Sequence, residues 1–190
     1  MKNILFTFFA IGLLFTACQP EELSPLAYKK YAEDEAKGII VSYEDDDISY
    51  EAIYKPTHLM LVDALRKERI DSVEYATTFK KYEQSQYVDL KVSLKKGTAA
   101  EKKEWLSKEL AKIEKSIHLE INGIAVPTSL FHHEVSMGIR PYEVLLMIFP
   151  KLEAEASVIK LVFDSHILAQ EMALILPFER LQHLPALKLQ

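Results

Sequence analysis

The chain has 190 residues, 49% of them hydrophobic, with a formal net charge of −5 and a single cysteine. A mildly acidic sequence without a basic block is a poor partner for nucleic acid, where phosphate contacts dominate affinity, and one cysteine excludes an internal disulfide. The length and apolar content suffice for one domain held by an ordinary core.

Lys2 is followed by an apolar run over residues 4–14, then Phe15-Thr16-Ala17-Cys18, then the polar Gln19-Pro20-Glu21-Glu22. One cation, a short apolar stretch and small residues before a cleavage point are the anatomy of a secretory signal. The run is shorter than the ~20 apolar residues a spanning helix needs. Its end resembles the lipobox of bacterial lipoproteins, with Phe15 where that pattern usually has Leu. The resemblance implies that residues 1–17 are removed, that the Cys18 thiol takes a diacylglyceryl group and that its freed amine is acylated, palmitate being the kind of chain expected. The membrane is then a partner through Cys18, and loss of Lys2 takes the formal charge from −5 to −6. Residues 18–23 read as a lipidated tether and 24–190 as one globular domain. Gln19-Pro20-Glu21-Glu22 resembles the short acidic signal of Bacteroidetes lipoproteins sent to the cell exterior, and reads equally well as a solvated linker.

Ser24-Pro25 places an N-cap before a proline in the first turn, and Gly38 follows Lys37, which predicts a helix over 25–37. Residues 39–43 and the alternating stretch 48–54 read as a hairpin about the acidic turn Glu44-Asp45-Asp46-Asp47, closed at Pro56. Residues 57–67 are apolar enough for a buried helix or a strand. Asp71-Ser72 can cap a helix through Tyr82. Over 87–94, Val88, Leu90, Val92 and Leu94 alternate with polar partners, as in a half-buried strand.

Thr98-Ala99-Ala100-Glu101 is a capping box opening a helix to about Lys115, with Trp105, Leu106, Leu110, Ile113 and Ile117 as the expected buried stripe. Asn122-Gly123 between two short apolar segments is the strongest two-residue hairpin signal. Three later runs, 144–149, 158–163 and 172–176, are nearly continuous in hydrophobicity and read as central strands. Helices in the first two-thirds, strands at the end and no βαβ alternation predict an α+β domain. We expect a mainly antiparallel sheet, sandwich-like, with two to four packed helices.

Few patterns suggest chemistry. His and Glu together can bind zinc or move protons, so His132, His133 and Glu134 are candidate metal ligands; another site could use Asp164 and His166, on one face of an extended segment, with His132 or His118 as a third ligand. On a strand, however, His132 and His133 point to opposite faces, and a helical zinc motif needs two histidines four apart. A packing or surface role is therefore favoured and no metal or cofactor is assigned. The acidic run 44–47 lacks the spaced ligands and the glycine of an EF-hand and reads as a charged turn. There is no glycine-rich phosphate loop, no Gly-x-Ser-x-Gly elbow and no free thiol nucleophile, so no catalytic residue is assigned. Nine tyrosines against one tryptophan are read as rim residues first and as a binding surface second.

Leu26-Ala27-Tyr28-Lys29-Lys30-Tyr31, Tyr54-Lys55-Pro56, Leu130-Phe131-His132-His133-Glu134 with Gly138-Ile139-Arg140-Pro141-Tyr142, and Phe163-Asp164 through Leu184-Pro185 together resemble a group of uncharacterised small Bacteroidetes lipoproteins. His133-Glu134-Val135 stands where that group has Phe-Glu-Arg. The resemblance implies a one-domain lipoprotein with no catalytic residues to carry over, and it makes His133-Glu134 part of a structural segment. The expected protein is a non-enzymatic lipoprotein, on the outer membrane or cell surface, that binds a protein partner or supports an envelope assembly. A module for a small molecule, lipid or glycan is the second expectation, and a metal-dependent hydrolase the third.

Overall fold

The structure is a computed structural model that describes residues 22–34, 36, 38–67, 72–136, 140–151, 158–177, 180–181 and 183–188, with backbone alone at 63, 64, 66, 67 and 72. The expected signal, Cys18 and residues 19–21 lie outside the described residues. In chain order the elements are β1 (Glu22–Leu23), α1 (Pro25–Ala32), β2 (Ile40–Glu44), β3 (Ile48–Lys55), α2 (Thr57–Lys67), α3 (Ser72–Tyr82), β4 (Ser85–Leu94), α4 (Ala99–Ser116), β5 (His118–Ile121), β6 (Ile124–Pro127), β7 (Leu130–Glu134), β8 (Glu143–Pro150), β9 (Ile159–Ser165), β10 (Gln170–Leu176) and β11 (Ala186–Leu187).

Two antiparallel sheets carry the fold, one ordered β2-β3-β4-β8-β7 and the other β10-β9-β5-β6. The alternation over 88–94 puts Val88, Leu90, Val92 and Leu94 on one face of β4, where they meet Tyr50, Leu145 and Met147 of the same sheet. Leu119, Leu161, Phe163, Met172 and Leu174 of the second sheet enter the same core. The class is thus α+β with packed antiparallel sheets, as the sequence pattern predicts. A third ladder, the parallel pair β1-β11, was not foreseen: Glu22 and Leu23 pair with Ala186 and Leu187. The far end of the expected tether therefore belongs to the fold.

Local chemistry explains most of the elements. At Asn122-Gly123 both residues have positive φ, 50° and 82°, which a two-residue turn between right-twisted strands requires. Asp45 accepts from the backbone N–H groups of Asp47 and Ile48 at 2.8 and 2.9 Å, and those bonds hold its carboxyl below the ordinary value. Lys95 pairs with Glu44, and Lys96 with Asp47 at 3.0 Å. The acidic run is a charged hairpin tip, with Glu44, Asp45 and Asp47 engaged within it. Residues 57–67 are helical because Leu59, Val62 and Leu65 recur at helical spacing and meet Tyr28 and Leu187 in a smaller second core.

Four expectations need correction. α1 ends at Ala32, five residues before Lys37, because the chain folds back there: Ile39 N–H donates to the Ala32 carbonyl at 3.1 Å. Gly38 serves close approach, since a Cβ on it would lie 2.2 Å from that oxygen. Trp105 is 43% exposed; it lies about 100° round the helix from Leu106, outside the stripe that Leu106, Leu110 and Ile113 define. β10 is an edge strand, not a central one; its core-facing Met172, Leu174 and Leu176 alternate with exposed residues, among them Ile175 at 61%. The tether is the fourth.

The helices α1 to α3 form an annex with its own aromatic cluster. His58 lies between Tyr28 and Phe79, at ring-centroid distances of 6.2 and 5.0 Å, and its Nδ1 is 2.9 Å from the Tyr75 hydroxyl. Burial pushes the His58 imidazole below its ordinary pKa. The folded state therefore binds this proton less readily than the unfolded chain, so the stabilisation is full above about pH 6.5 and is lost as the pH falls below it. We expect the melting temperature to drop between pH 7 and pH 5.5 more in the wild type than in His58→Gln, which keeps a polar contact but does not titrate. Parallel curves from calorimetry at the two pH values would refute this.

Candidate functional site

The inward-facing end of the larger sheet and one side of α4 enclose a groove of about 860 Å³, open to solvent. The capping box sets the start of α4: Thr98 Oγ1 accepts from Glu101 N–H, and the Glu101 carboxylate accepts from Thr98 N–H at 2.8 Å. From there α4 contributes Lys102, Lys103, Leu106 and Leu110, while Phe131 and His133 come from β7 and Tyr142 and Glu143 from the start of β8. Leu106, Leu110 and Phe131 are anchored in the main core, so the floor is rigid and apolar. The volume falls within the ~300–1,000 Å³ typical of small-molecule sites.

Glu143 organises the polar side. It pairs in register with Val92, on the core face of the sheet. Its Oε2 is 2.9 Å from His133 Nε2 and accepts from Ser136 N–H at 2.9 Å, and its Oε1 accepts from Ser136 Oγ at 2.5 Å. Burial works against the charged form, but the Ser136 hydroxyl and N–H, together with His133, outweigh it and hold this carboxyl below the ordinary range. The serine and the histidine both bond the glutamate and not each other. Among the described residues the carboxylate, not the imidazole, is the group that reaches the Ser136 hydroxyl, and it pins this loop to β8. The following loop carries Arg140, 3.3 Å from Glu134 and 5.5 Å from the Tyr142 ring centroid.

A second polar constellation sits inside the core. Glu109 is fully buried. Its Oε1 accepts from the Tyr50 hydroxyl, and its Oε2 accepts from His166 N–H and Ile167 N–H at 2.8 and 2.9 Å. The Ser165 hydroxyl, 2.7 Å from that of Tyr50, accepts from Leu168 N–H at 3.0 Å. Burial, followed by the Glu109 carboxylate, pushes the Tyr50 phenol far up. This network ties α4 to β3 and to the turn after β9.

The candidate metal ligands do not converge. His132 is exposed on the outer face of β7, opposite to His133. Glu134 faces Arg140, Asp164 pairs with Lys112 at 3.0 Å, and His166 enters the Glu109 network through its backbone. His118 Nδ1 lies 2.9 Å from the Ser116 carbonyl. Among the described residues, no group of three His, Cys, Asp or Glu side chains is placed to hold a metal ion, and no helix is long and apolar enough to cross a membrane. Of the tyrosines, Tyr142 lines the groove, while Tyr28 and Tyr50 are core residues.

Sequence reasoning missed Glu109 and the groove. Glu109 had a legible signal, since it lies three residues after Leu106 and four before Ile113, a carboxylate on the apolar stripe. The groove had none, because it needs α4 and the β7–β8 end to meet across the fold.

The architecture defines an α+β, sandwich-like protein with a groove at one end. No known protein family matches the sequence, and no curated protein does. Among solved structures, a protein of unknown function from Burkholderia pseudomallei is 12% identical, with a TM-score of 0.39 over 86% of this chain and 94% of that one. A likeness that distant carries no functional argument.

Proposed function

We propose that the chain is a non-enzymatic lipoprotein of the cell envelope, anchored in the outer membrane through Cys18 and facing outward. Its domain binds a small apolar ligand in the groove between α4 and the β7–β8 end. The observation that carries this reading is the groove itself, about 860 Å³ with Leu106, Leu110 and Phe131 on its floor. A rigid apolar concavity with a few polar groups at its edge is what a ligand site needs. The signal and Cys18 support the anchor.

The groove can be filled from the outside. Ser107 and Ala111 line it yet are exposed positions of α4, so Ser107→Trp and Ala111→Trp add bulk where the core is not disturbed. The soluble domain should bind the neutral fluorophore phenylnaphthylamine at micromolar concentrations, and each tryptophan variant should weaken binding about tenfold or more with an unchanged melting temperature. Wild-type protein that leaves the probe dark, or variants that bind as well as wild type, would overturn the proposal.

A further inference from the structure

We infer that the groove takes a single-chain amphiphile with an anionic head, a carboxylate or a phosphate, and that this head lies at the Lys102–Lys103 end. The inference deepens the reading just given and rests on it. The groove is elongated: α4 lines it from Ala99 to Glu114, fifteen residues or roughly 22 Å of helix. An extended chain fits such a wall better than a compact solute does.

Charge is sorted along that length. Lys102 and Lys103 sit in the second turn of α4, and Arg140 lies on the opposite wall. Lys102 is half-buried, so its methylene stem extends the apolar wall while its ammonium reaches the mouth. Among the described residues neither Lys102 nor Lys103 has an ion-pair partner, whereas Lys108 and Lys112 of the same helix pair with Glu104 and Asp164.

The carboxylates that could answer these cations are engaged elsewhere. Glu101 is bound to Thr98, Glu143 to His133 and Ser136, and Glu134 to Arg140. Glu114 lines the groove twelve residues further on, roughly 18 Å from Lys102 along the helix. Glu101 and Glu143 keep their charge, but among the described residues no carboxylate pairs with the two ammoniums, so one end of an apolar groove presents two lysines without an ionic partner. An anion at that end gains the attraction, and the acyl chain gains burial on Leu106, Leu110 and Phe131. A neutral amphiphile gains only the second.

Titration calorimetry on the soluble domain distinguishes the parts. The probes are dodecanoate, dodecyl phosphate and neutral dodecanol, each below its micellar or solubility limit. Both anions should bind more tightly than the alcohol. The double variant Lys102→Gln/Lys103→Gln should weaken the anions about tenfold and leave the alcohol unchanged, and added salt should weaken the anions alone. If only one anion responds, the head is that one. If the alcohol binds as tightly as the anions, or the variant weakens all three equally, the head-group inference fails while the groove reading stands. If none binds, both fail.

Discussion

Glu109→Ala should lower the unfolding free energy by roughly 3–5 kcal/mol, a large share of the 5–15 kcal/mol that holds a typical domain. The carboxylate accepts from one phenol and two backbone N–H groups in a site without solvent. Removing it orphans the two backbone N–H groups, each costing about 1–3 kcal/mol when buried and unpaired, and leaves the Tyr50 hydroxyl with Ser165 alone. Glu109→Gln should cost about half as much. Its amide oxygen can still accept from His166 and Ile167, and its NH₂ can donate to Tyr50, whose hydroxyl then turns to Ser165. Urea unfolding of the two variants measures both losses. A cost below about 1 kcal/mol for the alanine variant would mean that water replaces the carboxylate.

Cys18→Ala should abolish membrane attachment. One acyl chain binds a bilayer only reversibly, with a partition constant on the order of 10⁴ M⁻¹, and stable anchoring takes a second hydrophobic attachment. A residue that carries both a diacylglyceryl thioether and an acylated amine supplies more than enough. The variant should lose incorporation of labelled palmitate and move from the carbonate-washed membrane pellet to the supernatant. Retention of the cleaved, unlabelled protein in the washed pellet would place the anchor elsewhere in the chain.

What could be read from the sequence was what neighbouring residues decide. The Asn122-Gly123 turn, the Thr98–Glu101 cap, the alternation in β4 and the α+β class all follow from spacings of a few residues, and the fold keeps them. Residues 57–67 were ambiguous because a continuous apolar run satisfies either period; the second core, where Tyr28 and Leu187 meet Val62, decides for helix. The edge position of β10 was hidden for a related reason. Its run over 172–176 looks continuous because Ala173 and Ile175 are apolar too, although they face outward. The groove and the Glu109 network depend on contacts between residues such as Tyr50 and Glu109, 59 positions apart, which no local pattern encodes. His132 and His133 belong to the legible part: adjacency on a strand sends them to opposite faces, and β7 places them so.

The pairing of Glu22 and Leu23 with Ala186 and Leu187 bears on how the domain rides on its membrane. If the lipid sits on Cys18, the first residue fixed in the fold is only four positions away. Covalent geometry then allows at most about 14 Å between the anchor and that strand. So short a leash removes most rotational freedom, because a domain tens of ångströms across cannot turn over on it. The side bearing β1, β11 and α1 must stay against the headgroups, with the chain's last strand beside its first. Anything that approaches the protein from solution would then meet its other faces.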